Sequence, residues 1–560
     1  MLQAVARSLR CVEEPSHSLR QSWLDSFDWR LHRRGLALLH EATGPDAGGQ
    51  ATLELGTREA IGAREAIGAL EAIGALEAIG APVHPVRVGV EDPTLPTRAA
   101  DLPQGRISQV VAPVLGVRCL VPVAQVLTHR RAVRILNTDE KTVAGVIAET
   151  STLLDGTPLG SRARLVPVLG YSRAALDVAD LLQSAQGLQP TDGLCSAALA
   201  AGGRQAGDYS SKLSVDLRSS ESFETAIRVL LAHLLGTLRA NLDGARANLD
   251  PEFLHDIRVA VRRTRSLLGE AARPRVELWA MDDTERSPLP KVQGRCERAG
   301  TERGGGERAG TDPLGQLRGE LAWLGEVTSP TRDLDVWLTT LDEELAGGCP
   351  VPDQLAALRS VIELRRFAAH QSLVTQLGSE RFQALLESWG SATAVGGGRG
   401  GTNPSVRAGL VAADLVRRAH RRVLRRGRAI QPDSPDDALH DLRKAAKRLR
   451  YLLESFESLS PPKVLAKVLT ELKALQDNLG EFQDCAVQAA ALTELGKELG
   501  GGTAGPPDAL VAIGYLVAGL ESRRSEAGAS FSERFASFES PEATKLVGTL
   551  TSALATNRRA

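Results

Sequence analysis

The pattern of apolar and polar positions divides the chain into an amino-terminal part with the period of strands and a longer part with the period of helices. Between about residues 105 and 175, alternation predicts short strands, with turns at residues 137–139 and 155–156. The aromatic segment 23–30 predicts an earlier strand and turn. The alternating apolar positions are Val110, Val117, Leu120, Val123, Val126, Val133, Ile135, Val143 and Val146. After Lys212 the helical period continues to the end of the chain. The predicted fold is an α+β domain with an antiparallel sheet, followed by an all-α domain.

One amphipathic helix pattern occurs twice, with the histidines His255 and His440 at equivalent positions. Its apolar stripe consists of Leu254, Ile257, Val261 and Leu268 in the first copy and Leu439, Leu442, Ala446 and Leu453 in the second. Asp250 and Pro251 suit the start of the first helix, and residues 434–437 offer an equivalent start to the second. The repeated pattern predicts an internal duplication.

Each copy also has a histidine at position i and cations at i+3, i+7 and i+10. These four positions lie within about 80° of the helix circumference, so each copy forms a ridge of positive charge beside its apolar stripe. The first ridge is His255, Arg258, Arg262 and Arg265, and the second ridge is His440, Arg443, Lys447 and Arg450. Two such ridges favour a site for a long, negatively charged ligand.

Charge and composition refine this picture. The formal net charge of the 560-residue chain is −1, which disfavours a generally basic nucleic-acid binder. Residues 415–428 nevertheless contain seven arginines and no acid. Three of them, Arg417, Arg421 and Arg425, form a third basic row at i, i+4 and i+8.

The six cysteines are scattered, without a C-x-x-C pair or a secretory leader, and indicate reduced thiols. The longest apolar stretches are far shorter than the roughly 20 residues that span a bilayer. We therefore expect a cytoplasmic protein without a membrane partner.

Three segments have the composition of insertions. Residues 59–82 repeat a hexad whose isoleucines spread over three faces of a helix, so they predict a poorly packed surface segment. Residues 290–312 are Gly-rich and charged and predict a disordered loop, and residues 394–403 predict a Gly-rich linker.

Residues 215–540 resemble a CHAD domain, a helical family named for its conserved histidines. The resemblance rests on the two histidine helices, on Trp323-Leu324-Gly325, on residues 332–336 and on residues 475–484. It implies two antiparallel helical bundles related by pseudo-twofold symmetry, with the basic helices facing a shared groove or pore. It also implies binding of inorganic polyphosphate, which suits forked arginine donors, and a place at polyphosphate granules.

Residues 1–205 resemble a CYTH domain, the triphosphate-tunnel family. Residues 23–31 with Gly35-Leu36 resemble one of its strands, and residues 120–123 with 128–131 resemble its central strands. Active members begin with Glu-x-Glu-x-Lys, whereas this chain has adjacent Glu13 and Glu14. Glu149, Arg162 and Arg164 remain as tunnel residues. We expect a degenerate, non-catalytic domain, and a bound Mg²⁺ or Mn²⁺ only if it is active.

Three other interpretations stay open. An Arg-rich helix face is often merely solvated. The two His-Asp doublets also suit a metal phosphohydrolase, whose further ligands would be Asp333, Asp335, Asp477 and Asp484, although these acids are better explained as partners of neighbouring arginines. A nucleic-acid partner is disfavoured because only 4% of the residues are aromatic.

The leading hypothesis is a polyphosphate-binding module that has no catalytic residue and no cofactor. Its predicted contacts are His255, Arg258, Arg262, Arg265, Arg417, Arg421, Arg425, His440, Arg443, Lys447 and Arg450. The alternative is a metal-dependent tripolyphosphatase built on the amino-terminal domain. A longer upstream reading frame encoding Glu-x-Glu-x-Lys would favour that alternative.

Overall fold

The computed structural model separates into two compact units, Met1–Lys212 and Leu213–Ala560. It describes residues 8–44, 50–57, 86–90, 94–168, 170–186, 193–271, 313–394, 406–431, 433–501 and 507–556. The segments 59–82 and 290–312 lie outside the described residues, as does 394–403 apart from Ala394. Within the described part of the chain, no helix is long and apolar enough to cross a membrane.

Among the described residues, the first unit has an antiparallel sheet of eight strands in the order β5-β4-β3-β2-β6-β7-β8, with β1 paired to β6. The strands are β1 (Cys11–Glu13), β2 (His17–Asp25), β3 (Leu36–Thr43), β4 (Ala51–Thr57), β5 (Val86–Val90), β6 (Val121–Leu136), β7 (Thr142–Leu153) and β8 (Pro158–Pro167). The helices in the described part of this unit are α1 (Arg30–Arg33), α2 (Arg106–Leu115), α3 (Ser172–Gln186) and α4 (Leu194–Ala201). The α+β prediction is confirmed.

The predicted turns at residues 137–139 and 155–156 both connect strands, β6 to β7 and β7 to β8. The strand interpretation of Val110 was wrong, because this residue lies in α2. Ile107, Val111 and Leu115 are buried at intervals of four residues, so this segment follows the helical period rather than alternation. The helix packs them against Leu36, Leu38 and Leu53 of the sheet.

In the described residues the second unit is built from helices, as predicted. Its helices in the described residues are α5 (Phe223–Arg246), α6 (Pro251–Ala271), α7 (Pro313–Ala346), α8 (Pro352–Leu377), α9 (Glu380–Thr393), α10 (Ala408–Arg428), α11 (Asp436–Ser455), α12 (Pro462–Gly501), α13 (Pro507–Glu539) and α14 (Pro541–Thr556). The basic helices are α6 and α11.

The two basic helices have equivalent surroundings. Helix α6 packs between the helix before it, α5, and the helix after it, α7. Helix α11 packs in the same way between α10 and α12. The basic helices also contact one another. The duplication seen in the sequence therefore extends to the packing, and it brings the two copies together.

Candidate functional site

Helix α6 begins as the sequence predicts. The Asp250 carboxylate accepts a hydrogen bond of 2.9 Å from the amide of Glu252, and Pro251 is the first helical residue. The apolar stripe is buried, with Leu254, Ile257, Val261 and Leu268 each at most 3% exposed. Burial of this stripe fixes the rotation of the helix and places the first ridge along its edge.

Helix α11 begins differently, and the prediction of an equivalent cap was wrong. Its N-cap residue is Pro435, and no side chain caps the helix there. Ser434 instead accepts a hydrogen bond from the amide of Gln431, and Asp436 pairs with Arg524 of α13. Leu442, Ala446 and Leu453 are nevertheless buried, as predicted. Core packing, rather than capping, fixes the orientation of this copy.

In the first ridge, Arg258 lies against α7. Its Nη1 donates to the carbonyl oxygen of Gly325 at 3.1 Å and to the hydroxyls of Thr328 and Ser329 at 2.9 Å. All three acceptors are neutral. The guanidinium therefore keeps its full positive charge while its direction is fixed.

The other members of the first ridge lie close by on the same helix. Arg262 is exposed, and His255 and Arg265 are partly buried. A Cβ atom at Gly325 would lie 3.6 Å from Nη1 of Arg265. The side chain of Arg265 therefore lies beside the backbone of α7 at Gly325, the residue whose carbonyl oxygen accepts from Arg258.

In the second ridge, two arginines pair with carboxylates. Arg443 Nη2 donates to Asp484 of α12 at 2.8 Å, and Arg450 Nε donates to Glu454 at 2.6 Å. The Glu454 carboxylate also accepts a hydrogen bond of 2.6 Å from Arg263. Arg263 belongs to α6 and lies beside the first ridge. His440 and Lys447 are partly buried. Carboxylates thus compensate two arginines of the second ridge, whereas the hydrogen-bond acceptors of Arg258 in the first ridge are neutral.

The electrostatics of Lys447 show which of these cations lie near one another. Burial, together with the charges of Arg443, Arg262 and Arg450, lowers its pKa to about 8, while Asp484 opposes this lowering. Arg262 belongs to the first copy and the other groups to the second. The structure therefore brings the two ridges close enough for their charges to interact.

A second group of charges surrounds Arg258. Burial lowers its pKa, as do the charges of Arg262 and Arg332, and Asp333 opposes them. Burial raises the pKa of Asp333, although Arg258 and Arg332 favour its charged form. Arg332 lies within 3.8 Å of Glu252. Sequence reasoning did not single out Arg332 as a contact, although it stands in the quoted segment 332–336.

The third row lies on the exposed face of α10. Arg417, Arg421 and Arg425 are all exposed, and the structure gives no contact that joins them to either ridge within the described residues. Arg426 of α10, which was not predicted as a contact from the sequence, reaches α11. Its Nη1 donates a hydrogen bond of 2.7 Å to the backbone carbonyl oxygen of Asp441, and its Nη2 lies 3.3 Å from the Asp441 carboxylate.

The acids considered as metal ligands include two that pair with arginines. Asp335 is 5% exposed and accepts a hydrogen bond of 2.8 Å from Arg366. Asp484 accepts a hydrogen bond from Arg443. Among the described residues, no three histidine, cysteine, aspartate or glutamate side chains form a group that could hold a metal ion. These pairs link helices α7 to α8 and α11 to α12.

In the sheet unit, the charged residues also pair with one another. Arg130 lies 3.0 Å from Glu41 and 2.8 Å from Glu149, and Arg87 also pairs with Glu41. Burial would raise the pKa of Glu41, but the charges of Arg130 and Arg87 hold it below its usual value. Arg162 is the register partner of Glu149, and Arg164 lies 4.0 Å from its carboxylate. Arg130, Arg87 and Glu41 were not identified from the sequence.

Comparison with known proteins identifies the helical unit. A family model described as the CHAD domain matches residues 229–277 and 308–493. The solved CHAD domain from the plant Ricinus communis is 21% identical, covers 59% of this chain and 96% of its own, and has a TM-score of 0.43. PptA from Streptomyces chartreusis is 18% identical, covers 56% of this chain and 99% of its own, and has a TM-score of 0.39. No curated protein matches the chain.

Proposed function

Since the helical unit of this chain contains a CHAD domain, a family associated with polyphosphate binding, we propose that the protein binds inorganic polyphosphate through its two ridges. The principal contacts in this proposal are the cations of α6 and α11. The third row on α10 supplies further contacts for a long chain. The proposed role is non-catalytic: the domain attaches the protein to polyphosphate, including polyphosphate granules.

The observation that supports this proposal most directly is the mutual influence of Arg262 and Lys447. Like charges that lie close together raise the free energy of the unbound protein. Burial is the largest cause of the lowered pKa of Lys447, and the charges of Arg443, Arg262 and Arg450 contribute to it. A polyanion would relieve the repulsion among these cations, and a flexible phosphate chain can follow both helices because its charges repeat along its length. Forked guanidinium donors suit such a ligand.

A titration of labelled polyphosphate over a salt series tests the proposal. We expect tight binding that weakens steeply as salt increases, because each phosphate contact releases a condensed counterion. Duplex DNA, measured in parallel, should bind more weakly at each salt concentration. Absence of polyphosphate binding at low salt, or equal binding of DNA, would reject the proposal.

The same samples test the enzymatic alternative. Tripolyphosphate is incubated with Mg²⁺ or Mn²⁺, and released phosphate is measured. The pairing of Glu41 and Glu149 with Arg130 supports the non-catalytic interpretation, because these carboxylates already compensate a cation. Metal-dependent release that is lost in Glu149→Gln would assign the activity to the sheet unit and replace this interpretation.

A further inference from the structure

The two ridges have matched neighbours on the helices that follow them. Gly325 of α7 and Gly480 of α12 each lie beside a ridge arginine: Arg258 donates to the carbonyl oxygen of Gly325, and a Cβ at Gly480 would lie 4.0 Å from Nη2 of Arg443. Four residues, about one helical turn, after each glycine stands the side chain that the arginine contacts. This side chain is Ser329 in the half of the helical unit that contains α6, the first half, and Asp484 in the half that contains α11, the second half.

This one difference changes the charge that each half presents. Ser329 orients Arg258 without compensating its charge. Asp484 orients Arg443 and also compensates it, so an anion that approaches Arg443 must compete with a carboxylate 2.8 Å away. The anion meets no such competitor among the neutral acceptors of Arg258.

A second difference between the two halves also places a carboxylate in the second half and none at the equivalent position of the first. Glu454, which holds Arg450, corresponds in α6 to Gly269 when the histidines are aligned. A Cβ at Gly269 would lie 3.6 Å from the guanidinium carbon of Arg318. The first half therefore has a cation where the second half has a carboxylate. Asp333 of α7 lies near two cations, Arg258 and Arg332, whose charges favour its charged form.

Asp484 and Glu454 differ in how readily an anion can replace them. The Asp484 side chain is 58% exposed, whereas the Glu454 side chain is 15% exposed and accepts from two arginines. Asp484 can turn into solvent at little cost, and Arg443, whose side chain is 15% exposed, stays in place. Displacement by a ligand is therefore expected at Asp484 and not at Glu454.

We propose that Asp484 is a specificity-determining residue that makes the second ridge accept phosphate only from a chain already bound at the first ridge. This inference rests on the proposed polyphosphate function. A short anion binds at the first ridge, where the acceptors that orient Arg258 are neutral. A long chain extends to Arg443 and takes the place of the Asp484 carboxylate, because its local concentration there is high once one end is bound. Asp484 thus selects long polyphosphate over short phosphate anions at the second ridge.

A reciprocal exchange tests the proposal in the full-length protein. Asp484→Ser gives the second half the side chain of the first, and Ser329→Asp does the reverse. Binding of long-chain polyphosphate and of tripolyphosphate is measured for each variant. Asp484→Ser should tighten long-chain binding by about fivefold and change tripolyphosphate binding by less than about twofold. Ser329→Asp should weaken both ligands by about fivefold or more.

The salt dependence supplies an independent measurement. In Asp484→Ser, Arg443 has no carboxylate partner at this position and can hold a counterion. Long-chain binding then releases this counterion, so the slope of log affinity against log salt concentration should become steeper by about 0.7. The control is Asp508→Ser, which removes the same charge at the start of α13 and should change neither affinity nor slope. Circular dichroism checks that each variant is folded.

The outcomes separate this inference from the function on which it rests. If the wild-type protein binds no polyphosphate, the proposed function fails. If it binds polyphosphate and Asp484→Ser binds long chains no more tightly, or tightens both ligands equally, the specificity role of Asp484 fails and the proposed function stands. An equal gain in Asp508→Ser would reduce the effect to net charge and also overturn the inference.

Discussion

Arg263 of α6 and Glu454 of α11 form an ion pair of 2.6 Å that joins the two basic helices. Their side chains are only 12% and 15% exposed. Glu454 accepts from Arg450 through its other carboxylate oxygen, so one acid orients a member of the second ridge and connects it to the first helix. The spacing of the two ridges depends on this carboxylate.

Loss of the carboxylate should therefore destabilise the helical unit. We expect Glu454→Gln to lower the free energy of unfolding by about 2 kcal/mol, because Arg263 remains largely buried without the charge of Glu454. The measurement is urea unfolding followed by helical circular dichroism. The control is Glu498→Gln, whose exposed pair with Arg365 should contribute less than about 1 kcal/mol. Equal effects of the two substitutions would contradict a structural role for the buried pair.

Charge reversal in the second ridge should remove polyphosphate binding and preserve the fold. Arg443 and Arg450 lie at the edge of the buried stripe rather than within it. We expect Arg443→Glu with Arg450→Glu to weaken binding by more than about 100-fold at low salt, since two attractions become repulsions. The matched control is Arg239→Glu with Arg534→Glu, two exposed positions with the same change in charge. Unchanged affinity in the first double variant, with unchanged helical content, would remove the second ridge from the site.

The sequence predicted the elements that repeat and missed the contacts that differ between the copies. Periodicity located α6 and α11, because burial of one stripe requires apolar residues at fixed intervals. Periodicity alone did not place Val110 correctly, since a short apolar run fits both a strand and a helix. The α2 helix is recognisable from the spacing of Ile107, Val111 and Leu115.

The ion pairs of the site depend on contacts between distant parts of the chain, so only some left a signal in the sequence. Glu454 lies four residues after Arg450, a spacing that indicates a helical ion pair. Asp484 could have been compared with Ser329 from the repeated Leu-Gly of residues 324–325 and 479–480. The interaction of Arg262 with Lys447 has no such signal, because it arises only when the two copies pack together.

His420 should make the helical unit sensitive to acid. It is 5% exposed in α10 and lies beside Phe538, with 5.6 Å between the ring centroids. Burial and, to a smaller extent, the charge of Arg428 lower its pKa from 6.5 to about 4. Between these pH values the unfolded chain binds a proton that the folded protein does not, so stability falls as the pH decreases.

Substitution of this histidine isolates its contribution. We expect the wild-type protein to lose about 3 kcal/mol more than His420→Phe between pH 7 and pH 4, because phenylalanine does not titrate. Urea unfolding at several pH values gives the free energy of unfolding of both proteins. The difference between them at each pH removes the contribution of the carboxylates, which both proteins share. Parallel stability curves for the two proteins would show that His420 is protonated normally in the folded state.

Lys447 should make polyphosphate binding depend on pH in the alkaline range, near pH 8. Burial and the charges of Arg443, Arg262 and Arg450 lower its pKa to about 8, with Asp484 opposing them. Above that pH the free protein has a neutral amine at this position. A bound polyanion favours the ammonium form, so affinity should fall as the pH rises through 8, with uptake of up to about one proton on binding.

Two substitutions separate this proton from other effects of pH. Lys447→Arg keeps a charge that does not titrate in this range, so its affinity should stay nearly constant between pH 7 and pH 9. Lys447→Met should bind more weakly at pH 7 and should also lose the pH dependence. Without ligand, the wild-type protein should gain stability from about pH 8 to 10.5, because the unfolded chain then holds a proton that the folded protein has released. Opposite pH dependences of affinity and stability, both absent in Lys447→Arg, assign them to the lowered pKa of Lys447. A wild-type affinity that does not change across pH 8 would contradict this account of the site.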